Sequence, residues 1–434
     1  MNSLWLDNNT LPQFHSLHGE KKTDVLIIGG GLCGILCAYQ LQRLGVDYIL
    51  LEADRISRKT SGNTTAKITS QHNLIYSEIT KKYGSEAAEK YYRINEKAID
   101  EYARMCESID CTFERRDNFI YSLNDPKKLD GEMEALQKIG AKADFCPSLA
   151  ELPFDVLGAV KFPNQAQFDP VAFISAISKN LNIYESSRII GFDKKSYYGK
   201  NFNVKADKVI VAAHFPIFNK IGGFSIKLYQ HRSYIIALKN ATAVDGMYLD
   251  ENEKGLSFRN HGEYLLLGGG SHRTGKQGGN LDALRQAAKK YYPESTEAFH
   301  WAAQDCMSLD SLPYIGQYSK STPDLFVATG FNKWGMSLSM AASLILKDLI
   351  FGKTSDYADI FSPSRSKLHP QLFVNAFETT VNLLTPTKPR CPHLGCALKW
   401  NKDEHSWDCP CHGSRFDEGG KVLEGPANGD KSSQ

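Results

Sequence analysis

The sequence predicts an α/β chain, α+β overall, with a strand–glycine-turn–helix unit near the N-terminus, a run of antiparallel strands further on and two cysteine- and histidine-bearing loops near the C-terminus. Three observations carry this expectation. Residues 23–28 (Thr-Asp-Val-Leu-Ile-Ile) form an apolar, β-branched run that opens at once into glycines and then an apolar stretch to about Leu44. Residues 225–270 hold strand-like pieces, such as 227–238 and 263–267. Near the C-terminus, Cys391-Pro392-His393-Leu394-Gly395-Cys396 and Cys409-Pro410-Cys411-His412-Gly413-Ser414 each offer a cysteine and a histidine in a tight turn.

The first element is a parallel strand, and its glycines read Gly29-Gly30-Gly31-Leu32-Cys33-Gly34. In this G-x-G-x-x-G pattern Gly29 makes the turn, Gly31 admits a pyrophosphate, and Gly34 lets helix and strand pack closely. A second strand, 47–51, ends in Glu52, placed to accept hydrogen bonds from an adenosine ribose. The competing reading is a glycine-rich turn without a ligand, but strand, helix, second strand and terminal acid at these spacings favour a Rossmann-like site. No second such pattern occurs, which argues against a separate NAD domain. Residues 76–109 and 127–138 carry helical periodicity and strong helix formers. Residues 112–123 and the 225–270 stretches suggest an antiparallel sheet. Gly268-Gly269-Gly270 reads as a flexible turn, more simply a hairpin end than an anion site.

Further segments resemble the glycine/D-amino-acid oxidase superfamily. Arg55 and the hydroxyl-rich run 60–67 (Thr-Ser-Gly-Asn-Thr-Thr-Ala-Lys) are similar to its flavin-contacting stretch, which implies roles for Ser61, Gly62, Asn63, Thr64 and Thr65. Arg188-Ile189-Ile190 looks like part of the strand over the adenine, and 208–214 looks like the strand returning to the FAD domain. Residues 312–316 and 325–335 resemble the closing flavin motif, which implies contacts from Gly330, Phe331, Lys333, Trp334, Gly335 and Met336. The helix from Met336 would aim its N-terminal amides at the flavin. Cys306 falls near a position where some relatives bind flavin covalently, but the local match is poor and argues against that bond.

The C-terminal loops resemble the Rieske 2Fe–2S family, in which two Cys hold one iron and two His the other. The resemblance implies Cys391, His393, Cys409 and His412 as ligands, a Cys396–Cys411 disulfide, a Ser414 hydroxyl bonded to a cluster sulfide, and Gly425-Pro426-Ala427 as a shielding loop. Structural zinc is the competing occupant, although its sites usually pair C-x2-4-C with H-x3-5-H. The chain between about 365 and 390 leaves little room for the strands that full Rieske domains place first.

The resemblances imply a Rossmann-like FAD-binding domain interrupted by an antiparallel-sheet substrate domain, plus a small C-terminal β Rieske segment: FAD-binding segments 1–75, 156–220 and 305–365, substrate-domain segments 76–155 and 221–304, a linker 366–385 and a Rieske segment 386–434. At 434 residues, two or three domains are expected. A net charge of +2 gives no reason to invoke nucleic acid or acidic membranes. No apolar run reaches the roughly 18 residues of a membrane span, and the N-terminus lacks a signal-peptide core, so a cytoplasmic location is expected. Residues 428–434 read as a frayed tail.

Taken together, the resemblance implies an FAD-dependent enzyme of dehydrogenase type. It would oxidise a C–N bond of a small amine or amino acid and pass electrons through the cluster to an external one-electron acceptor. The open alternatives are a redox module fed by a protein donor and a flavin oxidase with a zinc tail. Amino-acid oxidases of the group place an Arg for the substrate carboxylate where alignment on Trp301 and Pro313 puts Asp305, and an acid there favours an ammonium. Arg232, Arg259 and Arg273 are other candidates for a carboxylate. His214 and Lys333 lie on the flavin-proximal motifs as candidate catalytic groups.

Overall fold

In the computed structural model, residues 3–218, 221–276, 280–366, 368–386, 389–427 and 430 are described. The expected frayed tail 428–434 therefore lies outside them except for Asp430.

The apolar run after Thr23 becomes the strand Gly19–Ile28, central to an eight-stranded sheet. It pairs in parallel with Tyr48–Leu51 on one side and Phe202–Val211 on the other. Phe202–Val211 in turn pairs with Leu325–Thr329, and Tyr48–Leu51 with Ile183–Tyr184. Burial on both faces is why these strands read as continuous apolar runs rather than alternating ones. The helices Leu32–Arg43 and Gly335–Ile350 cover one face of the sheet and bury Ile35, Leu36, Leu338, Ala341 and Ile345 in the main core. The helix Ser85–Cys106 adds Tyr91, Ile94, Ala98 and Tyr102, spaced three or four apart on its inner stripe.

A second, nine-stranded sheet runs from Thr296–Met307 through Tyr229–Lys239, Tyr264–Arg273, Ser257–His261, Met247–Asp250 and Glu114–Ser122 to Gly158–Gln167 and Lys67–Ile68. Its pairs are antiparallel except Met247–Asp250 with Glu114–Ser122. Asp305 and Cys306 belong to this sheet, as does Gly158–Gln167, although both were expected in FAD-binding segments. A third sheet of four short strands, Lys399–Asn401, Ser406–Asp408, Arg415–Phe416 and Val422–Glu424, carries the C-terminal loops.

Three local expectations fail. Gly268, Gly269 and Gly270 are not a turn but lie inside the strand Tyr264–Arg273, opposite the place where Tyr229–Lys239 slips register between Arg232 and Tyr234. Gly270 there takes φ +63°, a bulge conformation that glycine enters freely. Arg188-Ile189-Ile190 is irregular rather than a strand. Residues 366–385, expected as a linker, contain the helix Pro370–Leu384, whose N-cap His369 accepts from the Gln371 amide. Its polar and apolar positions are reversed from the usual arrangement, and that hid it.

Candidate functional site

A cavity of about 980 Å³ runs from the glycine turn to the inner face of the antiparallel sheet. It lies at the upper end of the size range of ligand pockets, roughly 300–1,000 Å³. The turn at its narrow end is built by close approach. Gly29 takes φ +111°, and a Cβ there would sit 2.6 Å from the Ala212 carbonyl oxygen. A Cβ on Gly34 would lie 1.9 Å from the Gly29 carbonyl, so only glycine brings helix and strand this near. Gly31 faces the cavity, and the Leu32 amide donates to Ser61 Oγ at 2.9 Å. Glu52 ends its strand with Oε2 accepting the Gly30 N–H at 2.7 Å and Oε1 accepting the Asp54 N–H at 2.8 Å. Burial raises its carboxyl, against those two amides. A bare cradle closed by glycines at a helix N-terminus, with an acid at the next strand end, fits a dinucleotide such as FAD.

Ser61, Asn63, Thr64 and Thr65 line the cavity, as do Gly330, Phe331, Lys333, Trp334, Gly335 and Met336 at the start of the helix Gly335–Ile350. Arg55 lines it too, with Nε 2.8 Å from the Glu185 carboxylate. Two of the expected residues, Gly62 and Ile190, do not line it. Gly62 points inward, where a Cβ would meet the Ser57 carbonyl at 2.3 Å. Ile190 is turned to solvent, and its neighbours Ser187, Arg188 and Ile189 reach the cavity instead.

At the wide end Asp305 faces its strand partner His231. Burial raises the Asp305 carboxyl, while Lys333, His214, His231 and Arg232 pull it back. Lys333 Nζ donates to Ser271 Oγ at 2.9 Å and lies 3.4 Å from Glu253. The Glu253 carboxyl is brought down to about 2, chiefly by its hydrogen bond to His231. His214 takes φ +48° and bonds Gln230 Oε1 through Nε2 at 2.8 Å. The three arginines considered as carboxylate binders are engaged elsewhere. Arg259 bonds the Thr65 and Ala66 carbonyls, Arg273 bonds Pro410 O and Asn375, and Arg232 is ion-paired to Glu404 and Glu424.

Lys67 and His72, given no role from the sequence, also line the cavity. Lys67 Nζ donates to the Tyr248 carbonyl at 2.9 Å, and burial, aided by Arg259, pushes its ammonium down to about 7. The His72 ring stacks on Trp334 with centroids 4.9 Å apart. Lys67 closes the hydroxyl-rich run, which was the one signal that could have found it.

The Rieske-like loops lie against the cavity's outer wall. A disulfide joins Cys396 and Cys411. The sulfurs of Cys396, Cys409 and Cys411 come within 4.8 Å of one another, but two of them are bonded together and offer nothing to a metal. Cys391 and Cys409, both buried, hydrogen-bond each other, and that bond brings the Cys391 thiol down to about 7. The rings of His393 and His412 meet edge-on at 5.1 Å. His412 donates from Nε2 to the Ser225 carbonyl at 2.8 Å, while its buried Nδ1 has no hydrogen-bond partner. Burial, then His393, lowers the His412 imidazole to about 4, so it is neutral at pH 7. Two thiols facing two imidazoles, one with an orphaned ring nitrogen, suit a cluster held by two Cys and two His. Ser414 Oγ accepts from the Ala427 amide at 3.2 Å and is fully buried under that third loop.

The cluster loops and the flavin cavity share a wall. Phe215 lines the cavity and packs edge-on to both imidazoles, 6.4 Å from His393 and 5.6 Å from His412. Gln304 Nε2 donates to the Gly413 carbonyl at 2.9 Å, and a Cβ on Gly413 would lie 2.2 Å from Gln230 Cγ. Val422, Leu423, Glu424 and Gly425 line the cavity from the cluster side. Below this contact Arg232 and Arg415 meet Glu404, Glu424 and Asp408 in a buried charge network.

A glycine-cradled cavity roofed by an antiparallel sheet, beside a Cys2His2 pair of loops, defines a flavoprotein joined to a Rieske centre. Residues 24–349 match the FAD dependent oxidoreductase family, and residues 377–432 match the Rieske [2Fe-2S] domain. The chain belongs to that oxidoreductase family and carries a C-terminal Rieske domain; it is a redox enzyme using FAD and a 2Fe–2S cluster. The YhfW protein of Bacillus subtilis (strain 168), whose name includes the words Rieske 2Fe-2S iron-sulfur protein, is 32% identical over 486 aligned positions, 98% of this chain and 95% of the relative. The cytochrome b6-f complex iron-sulfur subunit of Nostoc punctiforme is 60% identical over 37 residues, 8% of this chain and 21% of that one. Glycine oxidase from Geobacillus kaustophilus superposes with a TM-score of 0.68 at 17% identity, over 81% of this chain and 100% of its own. For L-proline dehydrogenase from P. horikoshii the TM-score is 0.67 at 18% identity, over 80% and 98%. At such identities the likeness is one of fold. Among the described residues no helix is long and apolar enough to cross a membrane.

Proposed function

We propose that the enzyme is a dehydrogenase that oxidises a C–N bond of a small amine or amino acid and delivers the electrons singly to an external acceptor. The observation that carries this reading is Phe215, which touches the flavin cavity on one side and both Rieske imidazoles on the other. A plain oxidase, discharging to O2 at the flavin, has no use for such a junction. When bound, FAD supplies two-electron acceptance and the cluster single-electron carriage. The chain's own groups bind and orient. Asp305, half-buried in the cavity wall, holds the substrate ammonium, and Lys333, fixed by Ser271, faces an acidic group if one is present. Glu52 and the Gly29–Gly34 turn seat the dinucleotide, and the N-terminal amides of the helix Gly335–Ile350 face the cavity with the positive end of the helix dipole. Tyr229 and Tyr234 wall the cavity against water on the sheet side. Glycine oxidase and L-proline dehydrogenase, both named for amino-acid substrates, share the fold and support the substrate class.

The test is anaerobic mixing of the loaded enzyme with a panel of amines and amino acids, followed at the flavin absorbance, then addition of cytochrome c as acceptor. Cys391→Ser, which removes one cluster ligand, should leave flavin bleaching intact and abolish reduction of cytochrome c. Equal acceptor rates in both proteins, or no bleaching with any member of the panel, would remove the relay or the substrate class respectively.

A further inference from the structure

The helix Pro370–Leu384 is turned inside out. Its two buried residues are asparagines, Asn375 and Asn382. Asn375 accepts from Arg273 Nη1 at 2.9 Å and donates to the Ile226 carbonyl at 3.2 Å, while the Asn382 carbonyl accepts the Ala397 N–H at 2.9 Å. Glu378, the helix's one charge, is on this inner side and pairs with Lys276 at 2.7 Å. The opposite stripe of Phe373, Phe377, Val381 and Leu384 faces outward, with the two phenylalanines 67% and 68% exposed and Leu384 77%. A helix that meets its own protein through polar groups and offers its apolar side outward has its partner outside the fold.

The charges around this face indicate which partner. Residues 365–402 hold six Lys or Arg against the single acid Glu378, in a chain whose whole excess is +2. Arg365 is consumed by Asp310 and Glu378 by Lys276; in the sequence Lys367 precedes this chargeless apolar stripe and Lys388, Arg390, Lys399 and Lys402 follow it. Arg390 joins the Leu383 carbonyl at the helix end to the Gly395 carbonyl of the first cluster loop, and Leu394 of that loop is itself exposed. A second copy laid on this face by twofold symmetry would set one basic flank against another.

We propose that this face seats the protein on the surface of an anionic lipid bilayer. The helix lies in the interfacial plane with its phenylalanines among the acyl chains, and the basic flanks meet the headgroups. At 15 residues it lies in the membrane surface and does not span it. The near-neutral charge of the whole chain concealed this, because the excess is confined to one segment. The seat does not depend on the reaction proposed above.

Flotation of the full chain, loaded with FAD and cluster, tests the seat on vesicles of phosphatidylcholine alone or containing one-third phosphatidylglycerol. Binding is expected on the anionic vesicles and should weaken in high salt. Phe373→Asp with Phe377→Asp should cut partitioning about 100-fold, with flavin and cluster absorbance unchanged. Phe377→Ser, a milder change, should give a smaller loss in the same direction. Wild-type protein that stays with the buffer, or variants that float as well as wild type, would overturn the proposal. So would concentration-dependent dimers in light scattering that the variants abolish while vesicles go unbound.

Discussion

Arg232→Met cuts the charge network between the antiparallel sheet and the Rieske segment. Arg232 is on the sheet side, in the strand Tyr229–Lys239, and all three carboxylates are on the cluster side. Its Nε lies 3.0 Å from Glu404 Oε1, its Nη1 lies 3.1 Å from Glu424 Oε2, and its Nη2 also pairs with Glu404. Its side chain is 2% exposed, against 7% and 15% for the two glutamates, so water cannot replace it. Breaking a buried pair costs about 3–5 kcal/mol. Both glutamates keep Arg415 as a partner, which places the expected loss near the lower end, about 3 kcal/mol. The loss falls on the junction, so in a urea titration the cluster absorbance should fade well before flavin release. In wild type the two should coincide or nearly so.

The same network sets a pH dependence. Burial pushes the Glu424 carboxyl up, yet Arg232 and Arg415 together bring it down to about 2. Its folded value lies below the unfolded one, so the contribution is present above about pH 4.5 and lost as pH falls toward 2. That contribution is roughly 3 kcal/mol, and the methionine variant should lose less on acidification. An unchanged order of transitions in Arg232→Met, or a shift under about 0.5 kcal/mol, would refute the reasoning.

Three further outcomes are expected. Gly34→Ala puts a methyl 1.9 Å from the Gly29 carbonyl, so the purified protein should hold little FAD; a normal flavin-to-protein ratio would contradict the close-packing argument. Lys67→Met should stabilise the protein at pH 7 by on the order of 4 kcal/mol, because burial holds the ammonium down to about 7 against 10.5 unfolded. The cost of Lys67 vanishes above pH 10.5 and grows as pH falls toward 7, so urea midpoints of the two proteins should converge at high pH; parallel curves would argue otherwise. Asp305→Asn should lower kcat/KM for amines about 30-fold, the ~2 kcal/mol of a charge-assisted hydrogen bond, and lower it less for compounds that also carry a carboxylate. Equal losses for both classes would take Asp305 out of substrate recognition.

The glycine turn and the C-x-H and C-x-x-H loops were legible because local spacing dictates their geometry. What escaped depends on partners distant in sequence. Phe215 reads as one more apolar residue until the fold sets it against His393 and His412, and Arg232 reads as a possible substrate ligand until the cluster segment arrives with Glu404 and Glu424. Gly268-Gly269-Gly270 misled because glycines signal turns, whereas here they absorb a register slip within a strand. The helix Pro370–Leu384 misled because its inner face is polar, which inverts the pattern by which buried helices are recognised.

The order of strands in the first sheet has a consequence for biosynthesis. Gly19–Ile28 leaves the ribosome early, but its neighbour Phe202–Val211 follows much later and Leu325–Thr329 later still. Until then the nascent chain carries an apolar strand with an unpaired edge, the kind of surface that invites aggregation or chaperone capture. The dinucleotide cradle borrows Ala212 and the amides after Gly330, so it does not exist in a partial chain. Cofactor loading therefore waits until the residues after Gly330 have been made, and FAD supply during expression should set the yield of soluble protein by stabilising nearly complete chains.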